Sequence, residues 1–279
     1  MTPLRHLAFV INAQKEGAAD IAHDLMAIAT EAGATVKTTS DYPVADDFLE
    51  DCDSCCVIGG DGTLLGVTRA AARSNVPIIG VNRGSLGFLT TFSAEQAREY
   101  FADIIAGNYT ISERALLDCS SAPGQHDLAL NDVLIKDERH SRLVELSLFA
   151  DDEFVTTYSC DGLIFSSPTG STAYNLSAGG PLIHPTAETI VLTPICPHTL
   201  SNRSIIFRQD VQLRVIPRHS EACLLVAVDG QRNISICEGN PVHITVSDKK
   251  LRLINHSTYN HFAVVRQKLG WSGGAIKGC

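Results

Sequence analysis

Residues 55–65, Cys-Cys-Val-Ile-Gly-Gly-Asp-Gly-Thr-Leu-Leu, leave the backbone few paths to follow. The apolar run 55–58 has the length of a buried strand. It breaks into Gly59, Gly60 and Gly62, and apolar residues resume at Leu64, Leu65 and Val67. A strand, a glycine turn and a helix start build a unit whose helix N-terminus turns backbone N–H groups toward an anion. Glycine lets the main chain come close to a polyanion and reach positive φ. Asp61 is the odd residue, because a carboxylate inside a phosphate cradle repels the ligand. It is either a base for an attacking hydroxyl, a residue that holds the metal on a nucleotide, or only the N-cap of the helix.

Around this loop strands and helices alternate. Residues 6–12 read as a buried strand, 18–32 as a helix with Ile21, Leu25, Ile28 and Ala29 on one face, and 35–38 as a short strand. A helix over 64–73 and a strand over 76–82 follow, then Arg83 and a loop that contains Phe88. Ser93 caps a helix that runs to residue 105. The acidic residues Asp46, Asp47, Glu50, Asp51 and Asp53 read as a solvated face. Alternation of this kind predicts a Rossmann-like parallel sheet. Its ligands bind at the carboxyl ends of the strands, so the glycine loop and the Arg83 loop share one crevice. Arg83 either meets a phosphate there or makes a structural ion pair.

The texture changes near residues 110–113. Strand-like runs now follow one another at 115–120, 128–136, 143–150, 153–159 and 162–166, and again at 204–207, 211–216, 223–228, 234–237, 242–246 and 251–254. Strands without helices after a run of β-α units predict a second, all-β domain. The expected division is 1–112 for the α/β domain and 113–257 for the β-rich one. Residues 258–279, which hold the single tryptophan Trp271, form a tail that returns to the first domain.

Composition narrows the partners. A net charge of −9 argues against nucleic acid and a membrane surface, and no apolar run is long enough to span a bilayer. Without a signal-peptide pattern the chain is expected in the cytoplasm. The nine cysteines are odd in number and lack a second Cys pair at zinc spacing, so they read as buried thiols, Cys119, Cys160, Cys223 and Cys237 among them.

Three further stretches carry chemistry. Residues 161–180, from Asp161 through Ser-Ser-Pro-Thr-Gly-Ser-Thr-Ala-Tyr-Asn to Gly180, put hydroxyls and glycines after a strand. That set suits sugar or phosphate, with Tyr174 able to stack on a base, and otherwise makes a capped turn. Asn131-Asp132 sets an amide and a carboxylate side by side in an apolar strand, where one must point inward and needs a partner, or it marks a turn. Residues 193–203 read as a loop pinned by Pro194 and Pro197, with His198 and Arg203 as its polar features. Asp229-Gly230-Gln231 reads as a hairpin turn.

Together, Gly59-Gly60-Asp61-Gly62-Thr63, Leu86-Gly87-Phe88-Leu89, Asn131-Asp132, the 161–180 element and Thr193-Pro194-Ile195-Cys196-Pro197-His198 resemble the NAD kinases of bacterial type. The glycine loop is shared with diacylglycerol and sphingosine kinases, whereas the Ser-Pro-Thr-Gly-Ser-Thr-Ala-Tyr-Asn run is specific. The resemblance implies an N-terminal α/β domain and a C-terminal β-sandwich-like domain with NAD in the cleft between them. It implies Asp61 as catalytic base for the adenosine-ribose 2′-hydroxyl. Gly62, Phe88, Asn131, Asp132, Asp161, Thr169, Thr172, Ala173, Tyr174, Cys196 and His198 would line the NAD site. Gly59, Gly60, Thr63, Arg83 and Gln231 would face the phosphoryl donor. The Cys196–His198 loop would reach a neighbouring subunit, which implies a homodimer or homotetramer. The donor is ATP or polyphosphate with Mg2+ or another divalent cation, and no metal ligands are assigned within the chain. A lipid kinase with the same loop and a non-catalytic dinucleotide sensor are the alternatives.

Overall fold

The computed structural model describes residues 1–83, 87–122, 125–138, 143–199, 201–218, 223–237, 239–256 and 259–271. It divides into two compact units, Met1–Glu113 with Leu251–Cys279, and Arg114–Lys250.

In the first unit β1 (His6–Ile11) leads to α1 (Ala18–Glu31), β2 (Thr35–Thr39), β3 (Ser54–Ile58), α2 (Asp61–Ser74), β4 (Ile78–Asn82), β5 (Phe92–Ser93) and α3 (Ala94–Ile105). The strands pair in parallel in the order β4-β3-β1-β2. Strand β3 is buried along its whole length and β1 and β4 nearly so, whereas the edge strand β2 is mostly exposed, as covering both faces of a parallel sheet demands. Ile21 and Leu25 of α1 and Phe101 and Ile104 of α3 bury against Leu7, Phe9, Cys56, Ile58, Ile79 and Val81. The Ser93 cap receives the Gln96 N–H at 3.2 Å and Gln96 Oε1 receives the Ser93 N–H at 3.0 Å, a reciprocal box that fixes the start of α3. The order places β1 between β2 and β3, so the chain reverses its direction of travel across the sheet at the carboxyl end of β1.

The second unit is built from antiparallel strands that begin within β6 (Thr110–Ala122). They continue through β7 (Gln125–Ala129), β8 (Asp132–Asp137), β9 (Val144–Ala150), β10 (Glu153–Cys160) and β11 (Gly162–Ser166) to a 3-10 turn (Thr169–Thr172) and the one-turn helix α4 (Tyr174–Ser177). Then come β12 (Thr189–Ile195), β13 (Ile205–Arg208), β14 (Leu213–Arg218), β15 (Leu224–Val228), β16 (Arg232–Ile236) and β17 (Val242–Asn255). One sheet has the order β13-β12-β11-β8-β15-β16, and β10-β9-β14-β17 form the other. Val133, Ile135, Leu163, Phe165 and Val226 of the first share a core with Leu146, Leu148, Val215 and Ile244 of the second, which is a β-sandwich. After β17 comes α5 (His261–Leu269), assigned to the first unit, with Val264 and Val265 buried and Trp271 exposed.

Several strands differ from the pattern reading. The run 128–136 is two strands, because the chain bends at Leu130 and Asn131. The runs 242–246 and 251–254 are one strand, since the polar residues at 247–250, exposed from Asp248 on, break the hydropathy pattern without breaking the backbone. The supposed loop from residue 193 begins inside β12. Pro194 is tolerated there because pairing with β13 ends at Leu192, which leaves its missing N–H on an unpaired side. Cys223 and Cys237 are exposed, as is Cys196, because the first two lie just beyond the ends of β15 and β16.

Candidate active site

The glycine loop leaves β3 and enters α2 through Gly60, not Asp61. Gly60 is the N-cap, and its N–H reaches Thr63 Oγ1 at 3.4 Å, which also accepts Asn12 Nδ2 at 3.0 Å. A Cβ on Gly59 would overlap the Thr63 hydroxyl, so glycine is what lets this crossing close. Asp61 therefore does not cap its helix. Its side chain turns to the loop after β4: Oδ1 accepts the Leu89 and Thr90 N–H groups at 3.2 and 3.0 Å and the Thr90 hydroxyl at 2.9 Å, and Oδ2 accepts the Phe88 N–H at 2.9 Å. Each such bond to a charged acceptor contributes about 1.5–3 kcal/mol. Among the described residues Oδ1 carries three donors and Oδ2 one, so Oδ2 is the oxygen with a lone pair open to a substrate proton.

A cavity of about 380 Å³ opens beside this loop, lined by Ile11, Asn12, Gln14, Asp41, Tyr42 and Thr63 among others. It lies at the carboxyl ends of β1 and β2, where an open α/β sheet takes its ligand. Tyr42 forms a wall, with its hydroxyl donating to the Gly62 carbonyl at 2.7 Å. Lys15 Nζ sits only 2.8 Å from where a Cβ on Gly60 would be, which puts an ammonium directly over the helix N-terminus. Arg83 lies against Gly17 and pairs with Glu16 at 3.4 Å, both side chains exposed. The cradle thus combines helix N–H dipoles and the Lys15 ammonium with the Asp61 carboxylate, held aside by its own bonds, while Asp41 lines the cavity and Glu16 pairs with Arg83.

In the second unit the bend at 130–132 is held from below. The Asp229 carboxylate accepts the N–H groups of Leu130 at 2.9 Å, Asn131 at 2.7 Å and Asp132 at 3.2 Å. Asp229 stands in the turn between β15 and β16 at φ +52°, a left-handed position that Asp tolerates better than most residues. From the other side Ser167 Oγ donates to the Leu130 carbonyl and accepts the Gly170 N–H, while Asn131 O accepts the Ser167 N–H at 2.9 Å. The 167–170 turn packs so closely that a Cβ on Gly170 would overlap the Asn131 carbonyl. Thr169 Oγ1 is buried without a hydrogen-bond partner, an orphan that a ligand hydroxyl would satisfy.

Burial, and after it the charge of Asp229, push the Asp132 carboxyl up from 3.8 to about 7. Burial also raises Asp229, against the opposing pull of its N–H donors and Arg232. Below 3.8 folded and unfolded chains both hold the Asp132 proton and there is no penalty. As pH rises the unfolded chain ionises first, and the native state loses stability until Asp132 itself ionises near 7, by roughly 4 kcal/mol in all. Asp132→Asn removes this cost. Between pH 5 and 8 the variant's Tm should fall by roughly 5 °C less than that of the wild type, as calorimetry would show.

The structure gathers Gly59, Gly60, Asp61, Gly62, Thr63, Arg83 and Phe88 in the first unit, and Asn131, Asp132 and Thr169 in the second. Leu86 lies outside the described residues. Thr172 Oγ1 donates to the Thr169 carbonyl at 3.2 Å, Ala173 follows it, and Tyr174 is exposed at the start of α4. Asp161 is exposed between β10 and β11, its N–H on Ile195 O. Cys196, at φ +45°, and His198, whose N–H binds Ser159 O at 2.8 Å, form an exposed corner after β12. Gln231 closes the turn behind Asp229. Lys15, Asn12, Thr90 and Ser167 were missed. The first two follow β1, and the rule that ligands sit at the carboxyl ends of strands would have nominated them.

Residues 42–109 match the family model for the ATP-NAD kinase N-terminal domain, and residues 130–256 match that for the C-terminal domain. The chain is 42% identical over 228 residues to the NAD kinase of Pseudomonas entomophila, covering 80% of this chain and 77% of that one. The chain belongs to the NAD kinase family. The NAD kinase of Teredinibacter turnerae is also 42% identical, over 86% of this chain and 84% of its own. Among solved structures, yeast NADH kinase complexed with NADH superposes with a TM-score of 0.86 at 23% identity, covering 100% and 91% of the two chains. The NAD kinase from Archaeoglobus fulgidus in complex with ATP gives 0.81 at 24%, covering 95% and 98%. The fold is thus that of the NAD kinases, and the family is one of phosphotransferases. The lipid-kinase and sensor alternatives give way to it.

Proposed function

We propose that the chain transfers the γ-phosphoryl group of ATP to the 2′-hydroxyl of the adenosine ribose of NAD, giving NADP and ADP. The observation that carries this reading is Asp61, a carboxylate fixed by four bonds at a phosphate-binding helix start, with Oδ2 still able to accept a proton. The 2′-oxygen attacks Pγ, the bond from Pγ to the β–γ bridging oxygen breaks, and the 2′-hydroxyl proton passes to Asp61 Oδ2. A hydroxyl is a weak nucleophile, so the base and the alignment carry much of the rate. The γ-phosphoryl charge is met by the loop N–H groups, Lys15 and Arg83, and by a divalent cation such as Mg2+ that arrives on the donor's phosphates. Gly59, Gly60 and Thr63 shape the donor loop, and Gln231 is a further donor-side residue.

In the second unit Asn131 and Asp132 hold the ribose hydroxyls and the Thr169 hydroxyl adds a bond. Gly62, Phe88, Asp161, Thr172, Ala173 and Tyr174 border the dinucleotide. An ionised Asp132 accepts from two ribose hydroxyls and a protonated one does not. KM for NAD is therefore expected to fall as pH rises through about 7, and Asp132→Asn should flatten that profile. Lys15→Ala should raise KM for ATP about tenfold, the loss of one charge-assisted phosphate contact, and leave KM for NAD near its original value. An unchanged KM for ATP would remove Lys15 from the donor site.

We further propose that the protein works in the cytoplasm as a homodimer or homotetramer, with the exposed Cys196–His198 corner offered to a neighbouring subunit. No helix among the described residues is long and apolar enough to cross a membrane. Light scattering on the purified chain and on His198→Ala tests the assembly. Chromatography of products from NAD, Mg2+ and ATP tests the reaction, and product with polyphosphate alone would change the donor.

A further inference from the structure

We propose that Cys223 and Cys237 are a thiol pair that a low-molecular-weight disulfide oxidises to an intrachain disulfide, stapling the open end of the β15–β16 hairpin. The register of that hairpin pairs Leu224 with Ile236, so the next opposed positions are 223 and 237. The two sulfurs stand 4.0 Å apart and both residues are exposed. Opposed residues of an antiparallel pair have Cα atoms about 4.5–5.5 Å apart, inside the range of about 4.4–6.8 Å that a disulfide accepts. Side-chain rotation alone therefore brings the sulfurs to the bonded distance of about 2.05 Å.

The chemistry is thiol–disulfide exchange. One cysteine, as thiolate, attacks a sulfur of the oxidant and expels one oxidant thiolate, leaving a mixed disulfide. The second cysteine gives up its proton and attacks the protein sulfur of that mixed disulfide, expelling the other oxidant thiolate. Two protein thiols become one disulfide, the oxidant becomes two thiols, and two electrons pass to it.

The other described cysteines each lack a requirement: Cys52 is half-buried, its thiol raised first by burial, and Cys55 and Cys56 next along the chain are buried. Cys55, Cys56, Cys119 and Cys160 are buried, and burial holds their thiols protonated, Cys119 and Cys160 being pushed up to about 12. Cys196 is exposed, but among the described residues its neighbour Cys160 is buried, so its oxidation stops at a mixed disulfide. The staple lies at the opposite end of the hairpin from Asp229, so it leaves the clamp on residues 130–132 as it is. It ties down β16, the edge strand of its sheet. Oxidation, closing a loop whose cross-link contributes about 3 kcal/mol, should thus raise Tm by roughly 6–12 °C and leave KM for NAD unchanged.

The test is to treat the full chain with glutathione disulfide at pH 8, block remaining thiols with iodoacetamide and map the peptides by mass. The expected map links the Cys223 and Cys237 peptides with loss of two hydrogens. In Cys223→Ser the partner is gone, and Cys237 should keep a stable glutathione adduct. Cys223 and Cys237 both alkylated after this treatment would overturn the proposal, as would separate glutathione adducts on both.

Discussion

Asp61→Asn is expected to lower kcat for NADP formation about 10²–10⁴-fold, the range a positioned general base supplies. The structure adds a second consequence. Asn can keep an oxygen where Oδ1 accepts the Leu89 and Thr90 donors, but its NH₂ then faces the Phe88 N–H in place of Oδ2. One bond becomes a meeting of two donors, costing about 1–3 kcal/mol. The segment 88–90 should therefore exchange its amide hydrogens faster in the variant even though the global fold survives. Gly87→Ala provides the control, because a Cβ there would overlap Asp61 Oδ1 and lie 2.6 Å from Asp61 Cγ. It should loosen the same segment while leaving the carboxylate chemically intact. A much larger loss in Asp61→Asn than in Gly87→Ala assigns it the proton, whereas an Asp61→Asn variant with a loosened segment 88–90 and wild-type kcat makes Asp61 a residue that only holds the loop.

Gly170→Ala should raise KM for NAD more than tenfold with little change in KM for ATP, and destabilise the second unit by about 1–3 kcal/mol, the usual cost of overpacking. The new Cβ would overlap the backbone carbonyl of Asn131 and fall 2.6 Å from its Cα. Backbone cannot swing aside as a side chain can, and Asn131 is held by Asp229 beneath it and Ser167 beside it. The bend at 130–132 must move as a whole, and with it the Asn131 and Asp132 groups proposed to hold the ribose. Steady-state kinetics in both substrates checks this, and a variant with wild-type KM for NAD would detach residues 130–132 from the acceptor site.

What the sequence made legible was local. The strand–glycine–helix unit at 55–65, the Ser93 cap and the strand 162–166 are short-range patterns, and each appears in the structure within a few residues of its expected place. The partners of the site residues were not legible, because they are main-chain groups far along the chain. Asp61 meets donors 27 to 29 residues later, and Asp229 reaches Asn131 across 98. No side-chain pattern marks an N–H as the partner of a carboxylate, so Asp61 read as a possible cap and Asp229 as a hairpin turn. Strand β17 was hidden for a related reason. Its polar centre carries no hydropathy signal, while its backbone pairing continues on either side.

The most direct measurement is the product formed by the purified chain from NAD and ATP with Mg2+, identified by phosphorus NMR, beside Asp61→Asn. The account predicts a 2′-phosphomonoester on the adenosine ribose and stoichiometric ADP from the wild type, with both nearly abolished in the variant. A chain that binds NAD and yields no 2′-phosphate with ATP or polyphosphate, or a variant as fast as the wild type, would contradict it.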